Sequence, residues 1–423
     1  MSIQAGRGEA TPLTILPSGI EIILDLSRLM SRTLHAMPTG IDRVELVYAR
    51  TLLNLIPDSL HFAAVNPFGF YGRLPREAVI RFLDETEARW TDHAKPGRAA
   101  LLIAAARSLA RLRPRRVPRA APGVRRYYVQ ASPHHQTRPE KVRAKLRAEG
   151  ARLICLVHDL IPIEYPEYAR PNGADLHRRR VRTMIELADG LITNSAATAQ
   201  SIDHFVGVAG RLPPVRVALL GSDPLPEPDP APPGIADPYF VVLSTIEPRK
   251  NHLLLLNIWR RMIETLGPER TPQLAIVGRR GWENENVIDM LDRCTAIGSH
   301  VHEFSGLSDA RLSMLLRQAR ALLCPSFAEG FGMPLTEALH SGTPVICSDL
   351  PALREAGGSV PDFIDPLDGP EWIRAIMDYC GSQPGMREAQ LERLRQWTAP
   401  GWLDHMAVLL NLIREIDMRE EAS

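Results

Sequence analysis

Between residues 239 and 348 one pattern recurs: a short apolar run, a polar break, then apolar positions spaced three and four apart. The runs are YFVVLST (239–245), QLAIVG (273–278), VHEFSG (301–306), ALLCPS (321–326) and TPVICS (343–348). Helical spacing falls between them near 252–266, 284–297, 308–319 and 333–341. Ser308 ahead of Asp309, Leu312, Leu315 and Leu316 gives one of these helices an N-cap and a stripe. Continuous apolar strands separated by single helices predict βαβ units and a parallel sheet covered on both faces. The first half shows the same grammar less regularly. Strands are expected at 20–26, 60–66, 126–131, 152–158, 189–195 and 215–221, and helices near 41–55 and 173–188. No internal repeat runs through either half.

Between the halves, 7 of the 16 residues from Asp223 to Pro238 are proline. Proline at that density blocks helices and ladders and favours a stiff connector. The 423 residues also exceed what one core supports, roughly 250–300 residues. The fold class expected is therefore α/β, with two doubly wound, Rossmann-like domains facing across a cleft. Ligands bind at the carboxyl ends of such sheets.

The net charge of +1 hides an asymmetry. From His93 to Pro139 there are eleven Lys and Arg and no Asp or Glu, so the rest of the chain sums to −10. Within this stretch, Leu101, Leu102, Ala105, Leu109 and Leu112 recur at helical spacing among arginines. Such a helix can lie against an anionic membrane surface through 97–126, or pack on the core with a solvated basic face. No nucleic-acid partner is expected, since only Tyr127 and Tyr128 accompany the arginines and no recognition motif is present. The five scattered cysteines form no CxxC pair and fit a reducing, cytoplasmic setting. The N-terminus lacks a signal-peptide pattern, and no apolar run approaches a membrane span.

Two segments carry candidate chemistry. In PSFAEGFGMPLTEAL (325–339), Glu329 and Glu337 stand eight apart with Gly330 and Gly332 between them. A glycine-bearing strand-to-helix turn exposes N–H groups at a helix start, an anion site, and a carboxylate beside it can accept hydrogen bonds from sugar hydroxyls. The plain alternative is a loop closed by glycines and a solvated Glu337. In STIEPRKN (244–251), Arg249 and Lys250 follow the first strand of the second domain on the cleft side, and the pair suits a diphosphate.

Together, Glu329-x7-Glu337, the EPRKN loop and the strand–helix order resemble retaining glycosyltransferases of family 4, which have the GT-B fold. The resemblance implies an acceptor-side domain over 1–222, a linker over 223–238 and a nucleotide-sugar-binding domain over 239–395. It further implies a helix within 396–423 that returns toward the first domain. Arg249 and Lys250 would stabilise the donor diphosphate, Glu337 would bind the ribose and Glu329 would contact the transferred sugar. Backbone amides of Gly332, Met333 and Leu335 would approach sugar and phosphate, while Pro334 removes one donor. VHDLIP places His158 and Asp159 at a strand end facing the cleft, where the family has a histidine that contacts the sugar or the leaving group, with Asp159 on the acceptor side. PTGIDRVE resembles the family's glycine loop with only Gly40 remaining, so Asp42 and Arg43 could meet the acceptor instead. Asn194, between Thr193 and Ser195, either faces the acceptor or caps the next helix. Gly278 with Arg279 would approach the donor, Trp282 could simply pack, and Leu307 would lie near the base.

No D-x-D occurs, so neither a metal nor another cofactor is expected, and Arg249 with Lys250 can supply the positive charge. The resemblance points to a hexose moved from a nucleotide sugar, GDP-mannose by preference, to a lipid-linked glycan at the inner face of a membrane. Two alternatives stay open: a nucleotide-sugar epimerase or hydrolase on this fold, and a non-catalytic sugar-nucleotide or glycan-binding subunit.

Overall fold

The expected strands fall into two sheets in the computed structural model, which describes residues 16–35, 37–66, 68–91, 97–207, 212–231, 234–381 and 385–421. Arg7 and Glu9 of the N-terminal stretch, Lys95 of the basic run, and Pro232 and Pro233 of the linker lie outside these residues. The first sheet holds β1 (Ile20–Asp25), β2 (Leu60–Val65), β3 (Tyr71–Arg73), β4 (Arg125–Gln130), β5 (Ala151–Val157), β6 (Gly190–Thr193) and β7 (Val215–Val217). Their order is β3-β2-β1-β4-β5-β6-β7, and every pairing but β2–β3 is parallel. The second sheet holds β8 (Tyr239–Leu243), β9 (Gln273–Val277), β10 (Val301–Phe304), β11 (Leu322–Cys324), β12 (Val345–Ser348) and β13 (Asp362–Ile364). All its pairings are parallel, in the order β10-β9-β8-β11-β12-β13. The chain reverses direction across each sheet once, between β1 and β4 and between β8 and β11. Those reversals open crevices at the strand ends.

Among the covering helices are α1 (Gly40–Leu55), α2 (Arg98–Arg111), α3 (Ala196–Val206), α4 (Asp309–Gln318), α5 (Met333–His340), α6 (Pro351–Gly357) and α7 (Trp402–Glu421). α7 leaves the second domain and packs on α1, β6 and β7. Tyr48 donates to His405 Nε2 at 2.5 Å, and Tyr127 donates to Asp417 at 3.1 Å. His405 Nδ1 lies 3.1 and 3.0 Å from the Ala218 and Leu219 carbonyls, so it carries the proton. Burial pulls the imidazole down to about 4, so it stays neutral.

The basic segment is only partly the surface expected of it. Ala105 and Leu112 are buried, with Leu101 and Leu109 half-buried beside them, but Leu102 is 50% exposed next to Ile103 at 53%. The packed stripe follows positions 101, 105, 109 and 112, and residue 102 lies about 100° around the helix from 101. Arg126 is buried against Glu21 at 2.8 Å, Arg125 pairs with Asp417 at 2.8 Å and Arg111 with Glu85 at 2.7 Å. The face that remains outward carries Arg107, Arg113, Arg115, Arg116 and Arg119, none in an ion pair among the described residues. Also among the described residues, no helix is long and apolar enough to cross a membrane.

Candidate active site

A cavity of about 610 Å³ lies between the two sheets, walled by the loops that follow their parallel strands. From the first domain come the start of α1, His158 and Asp159 after β5, and Asn194 after β6. From the second come Glu247, Arg249 and Lys250 after β8, Arg279 after β9, and the turn after β11. The crevice at the β8/β11 reversal is thus one wall of the cavity.

That wall is an ion cluster. Arg249 Nη1 donates to Glu329 Oε2 at 2.9 Å and to the Ala328 carbonyl at 2.9 Å. Its Nε lies 2.6 Å from Glu247, while Lys250 Nζ donates to Glu329 Oε1 at 2.5 Å. Ser326 Oγ donates to the same oxygen at 2.8 Å. Burial by itself would raise the Glu329 carboxyl, but Lys250 and Arg249 outweigh it and hold the group at about 2. Desolvation would weaken the Arg249 charge, yet Glu329 and Glu247 hold its pKa above the ordinary value. Two cations thus face two carboxylates. The donors expected for a diphosphate are present, engaged by internal acceptors.

The turn after β11 is clamped between the domains. At Gly330 an added Cβ would lie 2.4 Å from the His158 carbonyl and 3.0 Å from Asp159 Cβ. Ser195 Oγ donates to the Gly330 carbonyl at 2.8 Å, and the Glu355 carboxylate accepts from the amides of Ala196 and Ala197 at 2.6 and 2.9 Å. Glu355, on α6, therefore caps α3 of the other domain. Trp282 Nε1 donates to the Tyr168 carbonyl at 3.2 Å, and Tyr168 stacks on Phe327, so this tryptophan packs across the cleft. Gly332 takes φ +106°, which glycine alone adopts freely, and starts α5. Of the three residues whose amides were expected near sugar and phosphate, Gly332 and Met333 line the cavity. Leu335 does not: its side chain is buried and its amide already donates to the Gly332 carbonyl at 2.9 Å.

Glu337, one turn into α5, lines the cavity with no side-chain hydrogen bond or ion pair among the described residues. Burial lifts its pKa to about 7, Arg43 working against the rise and Asp309 adding to it. Arg43 reaches from α1 to Asp309 with two bonds of 3.1 and 2.7 Å, a bidentate pair across the domains. Gly40 sits at the first turn of α1, where an added Cβ would touch Met333 Sδ at 3.4 Å. Asp42 is not available to an acceptor. Its carboxylate forms the capping box with Thr39 and pairs with Arg28 at 2.6 Å and Arg32 at 3.2 Å, and its side chain is fully buried. The state of Glu337 gives a pH prediction. Ionised, it can accept from two vicinal hydroxyls; protonated, it offers less. Nucleoside-diphosphate binding is expected to tighten as pH rises through about 7 and to lose that dependence in Glu337→Gln, as calorimetric titration at several pH values will show.

His158 Nε2 donates to the Ala131 carbonyl at 2.7 Å, and burial lowers the imidazole pKa, so Nδ1 is left as an acceptor. Asp159 Oδ1 accepts from the Ile161 amide at 3.2 Å. Asn194 lines the cavity and accepts from Thr198 Oγ1 at 3.1 Å, whereas Ser195 is the residue that caps α3. Gly278 and Leu307 line the second-domain wall of the cavity. Sequence reasoning missed Glu247, Asp309 and Arg28 as site residues. Glu247 was readable, since it precedes the arginine it holds; the Asp309 partner lies 266 positions away in Arg43. Among the described residues no three His, Cys, Asp or Glu side chains gather as a metal-holding group.

Residues 229–358 match the family model described as glycosyl transferases group 1. The serotype-specific mannosyltransferase WbdA of Escherichia coli is 30% identical over 230 residues, 50% of this chain and 27% of that one. The O-antigen chain mannosyltransferase B of Escherichia coli is 37% identical over 131 residues, 31% of this chain and 33% of its own length. The chain thus aligns with about a quarter to a third of these relatives. Among solved structures, Anabaena Alr3699/HepE in complex with UDP superposes with TM-score 0.56 over 96% of this chain and 100% of that one, at 15% identity. Sucrose-phosphate synthase from Thermosynechococcus elongatus superposes with TM-score 0.59 over 95% and 100%, at 16% identity. With two doubly wound sheets and their facing strand ends the chain has a GT-B fold, and its residues 229–358 form a glycosyl transferases group 1 domain.

Proposed function

We propose that the chain is a retaining glycosyltransferase that moves mannose from GDP-mannose to a lipid-linked glycan acceptor. The observation that carries this reading is the Arg249–Lys250–Glu329 cluster at the switch point of the second sheet, facing His158 across the cavity. An incoming diphosphate would take over the Arg249 and Lys250 donors and free Glu329 to accept from a sugar hydroxyl. His158 Nδ1 would accept from another. Glu337 would hold the ribose.

A carboxylate held near 2 by two cations is a weak nucleophile, which favours a route without a covalent sugar–enzyme bond. The acceptor hydroxyl would attack the anomeric carbon on the face the diphosphate leaves. As the sugar–phosphate C–O bond breaks, a diphosphate oxygen would take the hydroxyl proton. Arg249, Lys250 and the start of α5 would stabilise the charge gathering on the leaving group, so this route calls on no metal. The mannose assignment is supported by the names of the relatives. The outward Arg107, Arg113, Arg115, Arg116 and Arg119, with Leu102 and Ile103, suit an anionic membrane face, each cation adding on the order of 1 kcal/mol.

A thermal-shift panel of GDP, UDP, ADP and CMP tests the reading. GDP is expected to stabilise the protein, by about 2.7 kcal/mol at a hundredfold excess over Kd. A response to UDP alone replaces the donor, and no response to any nucleotide sinks the enzyme reading. Nucleotide release from the sugar donor at an undiminished rate without acceptor would favour a hydrolase.

A further inference from the structure

A second cavity, of about 910 Å³, lies in the first domain at the other reversal point, between the ends of β1, β2 and β4. Among the described residues its lining contains no acidic side chain, while Arg138, Lys141 and Lys145 face it with His134 and His135. Arg138 and Lys141 are exposed and form no ion pair among the described residues. Lys145 is buried and fixed: its ammonium donates to Asp25 at 3.2 Å and lies 5.0 Å from the Tyr128 ring centroid. Tyr128 donates to the same Asp25 oxygen at 2.5 Å. Met30, Leu34, Val65 and Leu109 add apolar wall, and Ser27, Ser31, Thr33, Asn66 and Thr137 add hydroxyl and amide groups between them.

The rim continues this division. The turn from β2 to β3, whose Asn66 and Gly69 line the cavity, exposes Phe68 (85%) and Phe70 (68%) to solvent. β3 bonds in turn through Arg73 to the backbone of Arg115, in the outward arginine run. Aromatics, cations and cavity are therefore contiguous. Residues 27–35 and 37–39 divide the two cavities, with Ser27 and Leu34 on one side and Arg28 and Thr39 on the other.

We propose that this second cavity binds a phosphate-bearing amphiphile, the phosphate held by Arg138, Lys141 and Lys145 and the tail led out past Phe68 and Phe70. Calling that amphiphile the acceptor rests on the transferase reading above; its binding does not. The phosphate group would sit on one side of the dividing wall and the glycan would reach the donor cavity on the other.

Titration of the full chain with farnesyl diphosphate, inorganic diphosphate and farnesol tests this. Farnesyl diphosphate is expected to bind, at least tenfold more weakly in R138E/K141E, with GDP response and melting unchanged in that variant. F68S/F70S should weaken farnesyl diphosphate and leave inorganic diphosphate alone. Absence of binding, or binding equal in R138E/K141E, overturns the pocket. Equal affinity for the two diphosphates, indifferent to F68S/F70S, overturns the amphiphile in favour of a free anion. A chain that responds to a nucleotide but not to farnesyl diphosphate loses this pocket and keeps the transferase reading.

Discussion

Glu329→Gln is expected to lower turnover about a hundredfold or more while nucleoside-diphosphate affinity stays level or rises. In the free protein both carboxylate oxygens occupy the cations that a diphosphate needs. Removing the charge releases Arg249 and Lys250 to the ligand, but it also replaces the carboxylate that would orient the sugar with a weaker amide acceptor and an NH2 donor. Stability should fall as well. The group sits near 2 when folded against an ordinary 4.5, worth about 3 kcal/mol. Because the folded value is the lower one, this contribution is present above about pH 4.5 and is lost as pH falls from there toward 2. Urea unfolding at pH 7 and pH 3, with calorimetric titration of the nucleotide, separates the effects. If affinity falls in step with turnover, Glu329 serves binding instead.

Gly330→Ala should be nearly as damaging, for a steric reason. The new methyl carbon would stand 2.4 Å from the His158 carbonyl oxygen, which is backbone of the other domain and cannot rotate away. The domains would have to part by something near an ångström, and a misplacement of that size can cost about a hundredfold in rate. Nucleotide contacts made within the second domain should survive within a few-fold. Steady-state kinetics beside nucleotide titration will show the split; an unchanged kcat would mean that the closed cleft is not the working one.

What the sequence made legible follows a physical rule. Apolar strands and stripes with strong periodicity, such as β8, β9 and α4, were readable because burial on both faces leaves a mark on every residue. β3 and β13 were not, since Gly72 interrupts one and turn residues crowd the other, so neither three-residue strand sits in a longer apolar run as β7 and β11 do. That Arg249, Lys250, Glu329 and Glu337 would gather at one cleft was readable because each follows a strand end at a short spacing. The pairing of Arg43 with Asp309 and the capping of α3 by Glu355 were not, since domain contacts join residues whose sequence neighbourhoods know nothing of each other. Asp42 misled for the opposite reason. Three residues after a threonine, it was a capping box in plain view.

The return of α7 to the first domain bears on how the protein is made. Trp402 fills the space beside Gly221, Leu412 and Ile416 press on Gly190, and His405 receives the Tyr48 hydroxyl. Until residues 402–421 have left the ribosome, the first sheet lacks part of its cover. At about 5–20 residues per second, the roughly 200 residues that separate β7 from the end of α7 take on the order of ten to forty seconds to synthesise. The second domain, whose sheet is complete by β13, can settle during that wait. The half of the chain translated first is thus the half finished last, and it holds its exposed β6 and β7 flank for that interval.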